Sequence, residues 1–116
     1  MTIDQVNQRN KNRQSTNDYY QVIDAMTGEP MGRLIDVSES GFRIISAENL
    51  EPNDYDCLIH LPRHLGNVRE IPLQVSLKWC EHNRRFDWYE AGFEINCISK
   101  PATEVLKLII AEISGS

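Results

Sequence analysis

Between Ile71 and Trp79 the chain alternates with a period of two: Ile71, Leu73, Val75, Leu77 and Trp79 fall on one side, and Gln74, Ser76 and Lys78 on the other. Successive side chains of a strand point to opposite faces, so this run reads as a β-strand with one face in a core. A later stretch behaves the same way, with Ala91, Phe93, Ile95 and Cys97 alternating against Gly92, Glu94 and Asn96. These two runs commit the chain to a sheet whose inner surface is apolar.

Four shorter strands precede them. Tyr19 to Ala25 and Met31 to Ser38 read as a hairpin around the turn residues Thr27-Gly28-Glu29-Pro30. In the second of these, Met31, Arg33, Ile35 and Val37 are expected on one face and Leu34, Asp36 and Ser38 on the other. Phe42 to Ser46 follows a turn at Glu39-Ser40-Gly41, and Tyr55 to Leu61 follows the polar loop around Pro52. Six short antiparallel strands predict a small closed barrel or a sandwich, because closure removes exposed sheet edges. The last element changes period. Ser99 can cap a helix, Pro101 fits its first turn, and Val105, Leu106, Ile109, Ile110 and Ile113 form a stripe at helical spacing.

At 116 residues the chain holds one domain with one core. No apolar run approaches the roughly 20 residues of a membrane-spanning helix, so no membrane insertion is expected. The N-terminal stretch lacks the apolar core of a secretory signal, which predicts a cytoplasmic protein. Cys57, Cys80 and Cys97 are odd in number and form no C-x-x-C pair, so reduced, mostly buried thiols are expected.

The net charge of −5 argues against binding a nucleic-acid polymer, which requires a basic face. Its distribution is uneven. Residues 1–17 carry three basic groups and one acid, for +2, which leaves nine basic and sixteen acidic groups, for −7, in the remainder. A flexible cationic arm over 1–17 is therefore expected to precede an acidic folded body over 18–113.

The chemistry of common enzymes has little foothold. No phosphate-loop, dinucleotide or serine-hydrolase sequence is present. His60-x-x-x-His64 and Cys80-x-His82 have no matching second pair at zinc-site spacing, so no metal is expected. Two other clusters carry more. Arg9-x-x-x-Arg13 lies in the arm, and its guanidinium forks match phosphate oxygens and the O6/N7 edge of guanine. The two arginines stand about 6 Å apart if the arm is helical and roughly 13 Å apart if it is extended.

The second cluster, Asp36-x-Ser38-x-x-Gly41, ends the second strand. An ionised Asp36 can accept from the N1 and N2 donors of guanine, and Ser38 adds a donor or acceptor about 6 to 7 Å along the strand. Gly41 permits a positive φ or close approach of a ligand. The same three residues also fit a purely local role, in which Gly41 serves a hairpin turn and the side chains satisfy nearby backbone donors. By themselves the clusters specify a planar, anionic ligand.

In their order and spacing, Arg9-Asn-Lys-Asn-Arg13 followed by Asp36-Val-Ser-Glu-Ser-Gly41 resembles the PilZ domain, the bacterial receptor module for cyclic di-GMP. Gly32 before the second cluster, Trp79 at the end of a strand and Tyr89-Glu-Ala-Gly92-Phe93-Glu extend the resemblance over nearly the whole chain. It implies a mainly β fold, a six-stranded antiparallel barrel with a C-terminal α-helix. It also implies that Arg9 and Arg13 grip guanine edges and phosphates while Asp36, Ser38 and Gly41 receive a base. Trp79 either stacks beside that ligand or packs in the core. The expected function is that of a non-enzymatic cyclic di-GMP receptor, without other cofactors, whose arm orders on the ligand and signals to an unidentified protein effector. The alternative is a ligand-independent adaptor on the same barrel.

Overall fold

A computed structural model describes residues 19–65 and 67–114. Six strands are present: β1 (Gln21–Asp24), β2 (Pro30–Val37), β3 (Gly41–Ser46), β4 (Asp54–Leu65), β5 (Val68–Asn83) and β6 (Trp88–Ile98). They close into a barrel in the order β1-β2-β3-β6-β5-β4, every neighbouring pair antiparallel. Helix α1 (Lys100–Ser114) follows. The expected barrel with a C-terminal helix is thus the observed fold, and closure selects it over a sandwich.

Inside, Val22, Ile44, Ile59, Ile71 and Val75 are completely buried, each on a different strand except the last two. Helix α1 packs against β2 and β5 and adds Leu106 and Ile109, also completely buried. Burial of each such side chain contributes about 1.5–3 kcal/mol. Ser99 caps the helix as expected, its Oγ accepting from the Ala102 N–H at 3.2 Å. Near the other end Glu112 accepts from the Tyr20 hydroxyl and from Arg63 Nη2 at 3.3 Å, which ties the last turns of α1 to the start of β1.

Besides an irregular stretch between His60 and Leu65 of β4, the strict alternation of the sequence fails at four places where one strand of a pair carries a single extra residue. On β2 the ladder skips Met31 against β1 and Ile35 against β3. Met31, Leu34 and Val37 therefore point inward while Arg33 and Asp36 are exposed, in place of the expected grouping of Met31, Arg33, Ile35 and Val37. On β5 the ladder skips Lys78, and on β6 it skips Asn96. Such bulges reverse the inside and outside parity beyond them. Trp79, which the alternation placed on the core face and the family resemblance placed either there or beside the ligand, is 38% exposed, and Cys80 packs partly against the core instead. Cys97, expected on the buried face, is exposed, and Ile98 turns in.

All three cysteines are free thiols, and only Cys57 is buried. Its thiol is pushed up to about 12, chiefly by burial and secondarily by the charges of Asp24 and Asp56. The thiolate is the reactive form, so Cys57 is inert at neutral pH. Maleimide labelling at pH 7.5 with mass mapping is expected to modify Cys97 first, leaving Cys57 unmodified until denaturant is added. Early modification of Cys57 contradicts this packing.

Candidate functional site

The bulges at Ile35 and Lys78 place four residues in one lateral row across the outside of the barrel. Asp36 on β2 lies opposite Arg43 on β3, Arg43 opposite Gly92 on β6, and Gly92 opposite Trp79 on β5. Ser38 and Gly41 border this row at the β2–β3 turn. Together with Lys78 these residues line an open depression of ≈ 240 Å³. Asp36, Ser38, Gly41 and Trp79 were all anticipated from the sequence, and the fold brings them to one place. Arg9 and Arg13 lie outside the described residues.

The floor is a glycine for a steric reason. A Cβ at Gly92 would sit 2.3 Å from Nε1 and 2.4 Å from Cε2 of Trp79, so the indole occupies the space a side chain would need. This leaves Trp79 on the outer surface as an aromatic wall, opposite the polar rim of Asp36 and Ser38. Gly41 is also constrained by contact and not by φ. Its Cβ would meet the Phe93 carbonyl oxygen at 2.4 Å, while Gly28 is the one glycine of positive φ, 79°, among the described residues.

Ser38 fills the local role its sequence allowed. Its Oγ accepts from the N–H of Ser40 at 3.3 Å and of Gly41 at 3.2 Å, and the Ser38 N–H donates to the Gly41 carbonyl at 2.8 Å. The hydroxyl thereby shapes the turn that forms the rim, and it stays exposed. Asp36 accepts from Arg43 Nε at 3.2 Å through Oδ2. Across the depression Lys78 Nζ pairs with Glu94 at 3.3 Å. Each cation of the depression thus has a carboxylate partner, and its charges balance.

Arg43, Lys78 and Gly92 line the site although the sequence did not place them there. Arg43 follows Gly41 by two positions, but only the extra residue at Ile35 sets it across from Asp36. Among the described residues no group of three or more His, Cys, Asp or Glu side chains could hold a metal ion.

Glycine replacement separates the two steric contacts. Gly92→Ala meets a side chain that can swing aside, so the Trp79 indole N–H resonance is expected to shift in NMR spectra while the barrel stays folded. Gly41→Ala meets backbone and is expected to lose about 1–3 kcal/mol in urea denaturation, more than Gly92→Ala loses. An unmoved indole resonance in Gly92→Ala contradicts the contact.

The comparisons with known proteins agree with this architecture. The sequence profile of the PilZ domain matches residues 7–112, a span that includes both arginines of the arm. A search of curated proteins returns no match. Among solved structures the chain is similar to the Bacillus subtilis inhibitor of motility MotI/DgrA, with a TM-score of 0.59 and 15% identity. That likeness covers 81% of this chain and 45% of the other, so the chain spans less than half of the length of that protein and shares its fold. No helix among the described residues is long and apolar enough to cross a membrane. With the match extending over most of its length and the barrel and helix in place, the chain belongs to the PilZ domain family, a family of cyclic di-GMP receptors.

Proposed function

We propose that this protein is a cyclic di-GMP receptor in which Arg9 and Arg13 close over a ligand seated on the row Asp36–Arg43–Gly92–Trp79, and that the closed form signals to a protein partner. The observation that carries this reading is the convergence of Asp36, Ser38, Gly41 and Trp79 on one depression. A planar base lies against the indole, with its N1 and N2 donors turned to the Asp36 carboxylate.

Charge supports the arm's part in the scheme. Arg43 and Lys78 are already matched by Asp36 and Glu94, so the depression alone offers a dianion no net attraction. Arg9 and Arg13 supply two positive charges, equal to the two phosphodiester charges of cyclic di-GMP. Chain geometry supports it as well. The Leu34 N–H donates to the Tyr20 carbonyl at 2.8 Å, which roots the arm beside β2 two residues before Asp36. Arg13 stands six positions before Tyr19, and an extended chain of that length spans about 20 Å. That reach supports a contact of Arg13 with the site.

Ordering the arm costs conformational entropy, which the charge-assisted hydrogen bonds of the two arginines must exceed. Each such bond contributes about 1.5–3 kcal/mol. We assign the partner contact to the far end of the β5–β6 hairpin, where Phe86 is 53% exposed, stacked on Trp88 with centroids 4.8 Å apart, beneath the Arg85 guanidinium. Arginine and aromatic side chains of this kind are enriched where proteins bind each other.

Isothermal titration with cyclic di-GMP is expected to show binding by the parent chain and at least about tenfold weaker binding by Arg13→Ala. Equal affinity of the two chains contradicts closure by the arm. Absence of heat with the parent contradicts the receptor assignment and favours the ligand-independent adaptor.

A further inference from the structure

We infer that Arg43 is a positioning residue that sets the base selectivity of the site by holding the Asp36 carboxylate in the orientation that reads guanine. This inference rests on the receptor reading above and adds to it a residue outside both arginine and Asp-x-Ser-x-x-Gly clusters.

The extra residue at Ile35 creates the contact. Leu34 pairs with Ile44, so an unbroken ladder would set Ile35 opposite Arg43 and Asp36 opposite Phe42. With Ile35 skipped, Asp36 faces Arg43 on the outside of the barrel. The two side chains are 58% and 45% exposed, and an ion pair so well solvated contributes little to folding. Its effect is on orientation.

The geometry leaves the carboxylate available. Arg43 donates through Nε to Oδ2 at 3.2 Å, and no other donor among the described residues reaches Asp36. An ionised carboxylate has about four lone-pair positions. One is taken, so Oδ1 and the second position on Oδ2 remain for two parallel donors. Guanine presents such a pair in N1–H and N2–H. Adenine presents an N1 lone pair at the same place, which the carboxylate repels.

A carboxylate already held in place loses less side-chain freedom when the base arrives. Without Arg43 the Asp36 side chain is free to rotate, and both the affinity for guanine and the discrimination against adenine decline. Loss of Arg43 also leaves the Asp36 charge unmatched, a penalty that falls on both dianionic nucleotides, so the orientation effect is the loss that guanine suffers beyond adenine.

Titration of the full chain with cyclic di-GMP and with cyclic di-AMP tests this, using the parent, Arg43→Ala, Arg43→Lys and the same Arg43→Ala change on an Asp36→Asn background. Arg43→Ala is expected to weaken cyclic di-GMP about tenfold more than it weakens cyclic di-AMP, measured by competition. Arg43→Lys, which keeps the charge but lacks a side-on Nε–H, is expected to recover only part of the loss. On the Asp36→Asn background Arg43→Ala is expected to leave the ratio of the two affinities unchanged. Equal losses for both nucleotides would make Arg43 a direct phosphate contact and overturn the inference, as would unchanged affinity for cyclic di-GMP. A parent chain silent toward both nucleotides overturns the receptor reading itself, an outcome distinct from either of these. Urea midpoints of the variants report whether any loss comes from unfolding.

Discussion

Closing six strands into a barrel forces neighbouring ladders to stay in step, and this chain keeps step by leaving single residues unpaired. The two that matter most for the site are Ile35 and Lys78. Each reverses the parity of its strand beyond that point, so Asp36 emerges opposite Arg43 and Trp79 emerges opposite Gly92. Were either ladder continuous, one wall of the depression would turn toward the core. The polar rim and the aromatic wall therefore depend on backbone pairing before they depend on side-chain chemistry.

The same pairing explains why particular residue types are required there. Gly92 leaves room for the Trp79 indole, and Gly41 leaves room for the Phe93 carbonyl, so both glycines serve close approach across β6. Ser38 organises the turn that carries the rim, and Arg43 organises Asp36. What remains exposed is a surface with balanced charge, walled on one side by the Trp79 indole. Beside that balance stands the N-terminal arm, whose +2 charge contrasts with the acidic remainder of the chain.

Much of the fold was legible in the sequence because it depends on local pattern. The alternation from Ile71 to Val75 is a true core face, and the stripe from Val105 to Ile113 is a true helix face capped by Ser99. The cluster around Asp36 was legible as a polar strand end and turn, and the fold gathers it at one depression, while Arg9 and Arg13 lie outside the described residues. The errors share one cause. A bulge is a property of two strands, decided by how many residues the partner offers, and one strand's sequence does not display it. Trp79 and Cys97 continued an apolar alternation and so read as core, although each lies just past an extra residue and faces outward. Arg43 was invisible as a site residue for the same reason.

The central claim is that one outer row of the barrel and the cationic arm form a single site for cyclic di-GMP. Amide and indole NMR of the full chain during titration with this nucleotide tests it most directly. Saturable shifts are predicted at Asp36, Ser38, Gly41, Gly92 and the Trp79 indole, accompanied by shifts at Arg9 and Arg13 with the same dissociation constant. Shifts confined to other faces of the barrel, or spectra indifferent to the nucleotide, would contradict it.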